Sequence, residues 1–234
     1  MSPVFASLRG NVQGLKKAMS DYIHGMMERY GNIAYQIDVV NEIMAYDGSG
    51  NMKQDEFYTT LGNDYLPFAF SSAKVANSHP ILFLNDNDIE GYHAKGLANK
   101  YSGLIKVIKD LQARKVPIDA VGLESHFEVG KVPKELPDII EQLVSMGLKV
   151  MITELDIKNP NHQDEQQAAD FAYVFESCAK HFPGCMGVNF WGLNDEVNWN
   201  GANNRATLFD GNCNPKPLVF DAVKAVLDGS KSLH

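Results

Sequence analysis

No run of apolar residues in this sequence approaches the ~18 that a membrane-crossing helix needs, and no basic cluster interrupts a formal charge of −8. The first absence argues against a helical membrane partner. The second argues against nucleic acid or an anionic membrane surface and suits a neutral polymer. No Gly-rich phosphate turn follows any strand-like run, which disfavours a doubly wound nucleotide-binding sheet. The histidines are scattered and no cysteine pair has ligand spacing, so neither a metal site nor a cofactor is expected. The start, Met1-Ser2-Pro3-Val4-Phe5, lacks the basic and apolar regions of a signal peptide, leaving either an intracellular protein or one whose leader has been removed. Cysteine is scarce, with only three in the chain. Cys178 and Cys185 enclose a short segment and could close a small disulfide loop or stay as two reduced thiols, and Cys213 is the odd one out.

What is present is ample core material. Hydrophobic residues make up 44% and charged residues 21% of 234 residues, and no linker divides them, so one domain over residues 1–234 is expected. The most informative stretch is 150–157, Val-Met-Ile-Thr-Glu-Leu-Asp-Ile. It begins as an oily, β-branched strand of the kind buried on both faces of a parallel sheet and ends in two carboxylates. Alternation places Glu154 and Asp156 on one face. Alone, such a segment reads as a strand running out into solvent. A second segment of the same shape, 35–42, also closes on a carboxylate, Glu42. Two carboxyl groups brought together from distant strand ends meet the requirement of glycoside hydrolysis, where one protonates the leaving oxygen and the other attacks the sugar carbon or activates water.

The remaining chain alternates. Asn11 caps a predicted helix with apolar Val12, Leu15, Met19, Ile23 and Met26, ending near Gly31. A strand over 34–40 follows, then a turn-rich loop over 46–51, a helix over 64–76 using Leu66, Phe70, Ala73 and Val75, and a strand over 81–84. A helix over 94–114 carries the stripe Leu97, Tyr101, Leu104, Ile105, Ile108 and Leu111. Strands over 120–123, 148–153 and 186–190 are separated by helices over 134–146 and 163–181, and a last helix starts at Pro217. Helix–strand alternation without consecutive strands implies an α/β fold with a parallel sheet and right-handed crossovers. Every candidate for chemistry sits just past a strand's carboxyl end: Asn41 and Glu42, 85–88, 124–126, 154–156 and Trp191. That is the active rim of a TIM (β/α)₈ barrel, here apparently incomplete with about five parallel strands.

Collected in order, Asp38-Val-Val-Asn-Glu42, Leu84-Asn-Asp-Asn-Asp-Ile-Glu90, Val121-Gly-Leu-Glu-Ser-His126, Ile152-Thr-Glu-Leu-Asp156, the run from Phe190 to Trp199, Leu208-Phe-Asp and Pro215-Lys-Pro217 resemble glycoside hydrolase family 10, the endo-β-1,4-xylanases. The resemblance covers nearly the whole chain. It implies a retaining hydrolase of xylan or xylo-oligosaccharides with Glu42 as general acid and base and Glu154 as nucleophile. It implies that His126 bonds the nucleophile and is held by Asp156, that Asn41 bonds the sugar 2-hydroxyl, and that Trp191 and Trp199 wall the sugar rings beside positions 87 and 124. A Cys178–Cys185 bridge and secretion are implied likewise. Taken by themselves, His126 reads as a structural histidine, Asn41 as a strand cap, the tryptophans as core residues and Arg205 as a solvated loop charge.

Departures from the family pattern carry their own expectations. Ile37 replaces the usual Trp, a packing change expected to be tolerated. Asn87 stands where Tyr is usual, so an aromatic contact near the cleaved bond is expected to be lost. Glu124 replaces the usual Gln and is expected to add a third carboxyl close to Glu42 and alter the pH profile. The family carries three further strand units ahead of the first helix here, so the chain is expected to be weakly active or inactive, with open sheet edges that invite self-association. The competing class is a non-catalytic sugar-binding or interaction protein on the same scaffold. A barrel hydrolase acting on glucans fits the Trp191 and Trp199 spacing less well.

Overall fold

A computed structural model describes residues 3–92 and 99–230. Two compact units divide it, 1–121 and 122–234. The first opens with α1 (Pro3–Ala6) and α2 (Val12–Tyr30), whose start is fixed by Asn11 Oδ1 accepting from the Gly14 amide at 2.9 Å. That bond satisfies one of the amides every helix start leaves orphaned. β1 (Gln36–Asn41) pairs in parallel with β2 (Ile81–Asp86). Between them lie α3 (Glu56–Leu61) and α4 (Tyr65–Ala76), and α5 (Lys100–Ala113) follows β2. Leu15, Met19 and Met27 of α2, and Leu66, Ala69, Phe70 and Ala73 of α4, are buried.

The second unit holds β4 (His126–Glu128), α6 (Leu136–Ser145), β5 (Lys149–Lys158), α7 (Asp164–Ala179), β6 (Cys185–Phe190) and α8 (Pro217–Ser230), while β3 (Ala120–Leu123) straddles the division. β5 pairs in parallel with β4 on one side and β6 on the other. Among the described residues the paired strands are parallel and flanked by helices, and six are too few to close an eight-stranded barrel. The architecture is therefore the expected open, incomplete (β/α)₈ type. The sixth strand arises because 120–128 breaks at Ser125, whose φ of 67° lies in the left-handed region.

Several element expectations need correction. α3 went unforeseen, although Asp55 caps it by accepting from the Tyr58 amide at 2.9 Å. Val75, expected to pack, is 80% exposed, and Met27 rather than Met26 is the buried methionine on the last turns of α2. Residues 93–98, with Leu97 of the predicted stripe, lie outside the described residues. Asn85, Glu154 and Asp156 lie inside strands rather than past their ends. The reason for the last two is register: β4 runs parallel to 156–158, with His126 opposite Asp156, and this pairing prolongs β5.

Candidate active site

In the second unit the site is built on two adjacent parallel segments. The Glu154 amide donates to the Glu124 carbonyl at 3.1 Å, and the Asp156 amide to the Ser125 carbonyl at 3.4 Å. That register sets the His126 ring among the carboxylates, with Nε2 3.4 Å from Glu154 Oε2 and 3.6 Å from Glu124 Oε2, and Nδ1 3.1 Å from Asp156 Oδ2. Alternation along β5 thus turns both its acids toward one imidazole. Burial opposes the charge on His126, but the bonds to Asp156 and Glu154 and the nearby Glu124 outweigh it and hold the ring's pKa up at about 9. At neutral pH both ring nitrogens donate.

Asp156 is a fully buried anchor. Its Oδ2 also accepts from Trp199 Nε1 at 2.6 Å and Asn200 Nδ2 at 2.9 Å. The Trp199 indole therefore lies beside the His126 ring, centroids 5.0 Å apart, with the residue 60% exposed and Lys158 Nζ 5.3 Å over the ring. Trp191 follows β6, donating its amide to the Leu155 carbonyl at 3.1 Å, and is half exposed. Neither tryptophan is a core residue. Asn200 gave no signal in sequence, because it sits among several asparagines of one loop.

Arg205 corrects the expectation of a solvated charge. The loop after β6 folds back so that the Ile157 and Asn159 amides donate to the carbonyls of Ala206 and Asn204. Arg205 is thereby delivered to the start of α7, where Nη1 lies 2.9 Å from Asp164 Oδ1 and 2.6 Å from His162 Nδ1. Lys216 Nζ and Gln167 Nε2 both donate to its carbonyl at 2.7 Å.

In the first unit Glu42 follows β1 with a left-handed φ of 51°, its amide donating to the Asn85 carbonyl at 3.0 Å. A non-glycine residue in this region is strained, a condition that gathers at functional positions. Asn41 Oδ1 accepts from Asn85 Nδ2 at 2.8 Å. Around Glu42 lies a set of groups of which the sequence motifs mark only Asn87. Asn87 Nδ2 donates to Glu42 Oε1 at 3.2 Å and to the Tyr46 hydroxyl at 2.8 Å, and Asn87 Oδ1 accepts from Lys100 Nζ at 2.6 Å. Lys100, fully buried, also meets Asp86 Oδ1 at 2.9 Å and lies 4.3 Å over the Tyr46 ring. Lys53 Nζ is 3.6 Å from Glu42 Oε2. Asn41 and Glu42 line an open cleft of about 290 Å³ with Lys53, Asp55 and Phe57. A signal for Lys100 existed: it stands at helical spacing with Leu104, Ile108 and Leu111, in register with the buried stripe.

Among the described residues, Glu124, His126 and Glu154 offer ligand atoms within 4.8 Å of one another, a set that could hold a metal ion. A cation there would have to displace the imidazole proton that those same acids stabilise.

The glycosyl hydrolase family 10 model matches residues 2–226. An endo-1,4-beta-xylanase from Humicola insolens is 34% identical over 93% of this chain and 51% of its own length, and one from Agaricus bisporus is 32% identical over 92% and 63%. The chain thus spans about half to two thirds of these relatives. Among solved structures, a Penicillium canescens endo-1,4-beta-xylanase superposes with a TM-score of 0.88 at 29% identity, covering 98% of this chain and 71% of that one. A glycosylated endo-beta-1,4-xylanase from Gloeophyllum trabeum gives 0.85 at 32% identity, covering 97% and 71%. With acids carried on or just past its parallel strands and a family match over nearly its full length, the chain belongs to glycosyl hydrolase family 10.

Proposed function

We propose that this chain carries the chemical groups of a retaining endo-β-1,4-xylanase, with Glu42 as acid and base and Glu154 as nucleophile. Glu154 attacks the anomeric carbon while Glu42 gives its proton to the glycosidic oxygen, so the C–O bond breaks and a glycosyl ester forms. Glu42 then takes a proton from water, which attacks the same carbon and frees Glu154; two inversions give retention. The observation that carries this reading is the imidazolium fixed between Glu154 and Asp156, which aims a carboxylate as a nucleophile requires. Asn41 would take the sugar 2-hydroxyl, and Trp191 and Trp199 would pack on ring faces. Glu124 would load the same imidazolium with a further acid and alter the pH profile.

The test is to trap the ester. A 2-fluoro-xylobioside with a good leaving group should add one glycosyl mass to the peptide containing Glu154, and Glu154→Gln should abolish it. A trapped sugar on any other residue sinks the assignment. Absence of any adduct, with xylan still retarding the chain in affinity electrophoresis, would favour the non-catalytic sugar-binding reading. Turnover of soluble xylan is expected to fall well below that of a version extended by the family's three further strand units, because misplacing substrate by ~1 Å costs on the order of a hundredfold. Equal turnover would defeat that part. The same reading includes secretion, which suits a polymer substrate and the disulfide. It also includes self-association through the open edge of β1, which pairs only with β2 among the described residues; a solution mass equal to one chain of 25.9 kDa at all concentrations excludes it.

A further inference from the structure

The polar set around Glu42 contains more than a buried ion pair. Asn87 has both amide hydrogens committed, one to Glu42 Oε1 and one to the Tyr46 hydroxyl, and its carbonyl committed to Lys100. Only an ammonium at Lys100 leaves no choice of amide orientation, since it can donate and never accept. Lys100 is itself immobile, with no exposed surface, Asp86 at 2.9 Å and the Tyr46 ring face at 4.3 Å. The Tyr46 oxygen thus accepts from Asn87, whose same amide nitrogen donates to Glu42, so the hydroxyl and the carboxylate are tied to one side chain. Burial, together with Glu42 and Asp86, pushes the phenol pKa well above its usual value while the Asn87 bond opposes this, so the proton is retained across the working range. Tyr46 is 46% exposed.

The geometry points to Tyr46 as the positioning residue for the acid and base Glu42, presented by Asn87 and Lys100. In place of the aromatic contact expected to be lost at position 87, the loop after β1 brings the Tyr46 ring to Asn87. This rests on Glu42 having the acid and base role. Asn87, held by the Tyr46 hydroxyl and Lys100, fixes the Glu42 rotamer that sets where the second oxygen delivers or receives a proton, and small errors of aim are costly in proton transfer.

Two measurements on the intact chain test it. Tyr46→Phe keeps the ring over Lys100 and removes only the hydroxyl. With aryl xylobiosides, kcat/KM should fall about tenfold for a poorly leaving phenol that needs protonation, and little for dinitrophenolate, which does not. Equal losses on both, or none on either, overturn the proposal. Independently, with [13Cζ]tyrosine labelling, the resonance missing from Tyr46→Phe identifies Tyr46, and Glu42→Gln should move that resonance and lower its titration midpoint. A resonance and midpoint unmoved by Glu42→Gln overturn the contact whatever the activity. A moved resonance in a chain that never hydrolyses or traps a xyloside instead retains the contact and removes the acid role, which is the failure of the function proposed above.

Discussion

His126 keeps a proton because three carboxylates surround it, and this couples the fold to pH. Its pKa is held up at about 9 against about 6.5 in an unfolded chain. A group raised on folding contributes its full stability below the unfolded value and loses it as pH climbs through the folded one. Stability should therefore decline between about pH 6.5 and 9, by on the order of 2 kcal/mol. Urea denaturation across that window measures it, and His126→Gln should flatten the slope. Glu124→Gln removes one of the charges that raise the ring, so the His126 midpoint followed by NMR should move down; an unmoved midpoint would remove Glu124 from the set. Lys100 is the other residue whose environment dictates its role. Lys100→Met leaves Asp86 buried without its cation, which should cost about 3–5 kcal/mol; a loss under about 1 kcal/mol in the same denaturation assay would contradict it.

At the scale of elements, α5 ends in a two-bond cap. The Lys115 amide donates to the Gln112 carbonyl and the Val116 amide to Leu111, both at 2.9 Å, and Lys115 takes a φ of 55°. This arrangement wants glycine at the left-handed residue, with an apolar contact between the residues flanking it. Val116 and Leu111 are both buried and are joined by that backbone bond. Lys115→Gly should raise stability by roughly 0.5–1 kcal/mol, read as a higher denaturation midpoint; a lower one would show that the side chain packs. Most elements were legible because apolar spacing and caps are local. Helix α2 followed from Asn11 and the recurrence of Leu15 and Met19. α3 was not legible, since its six residues bury none of their own side chains fully and offer no stripe. The true length of β5 was hidden too, because a neighbouring strand, not its own composition, keeps 154–158 extended.

For the molecule as a whole, the one covalent crosslink joins Cys178 at the end of α7 to Cys185 at the start of β6. The resemblance implied it; spacing alone could not decide. Closing so short a loop removes limited unfolded-state entropy, so replacing both cysteines with serine should cost only about 2–3 kcal/mol. Thermal unfolding with and without reductant checks this, and no difference would remove the bridge as a stabilising element.

The sequence by itself determined the alternation of helix and parallel strand, the acids carried on or just past those strands, and the family, since these depend on local periodicity and on motif order. It could place Glu154 and Asp156 on one face because strand side chains alternate by rule. Only the tertiary structure decided that His126 stands opposite Asp156, that Arg205 reaches Asp164, and that Tyr46, Asn87 and Lys100 gather at Glu42. Each of those meetings depends on the register or folding-back of segments distant in the chain, and side-chain chemistry acts over a few ångströms that no spacing along the chain specifies.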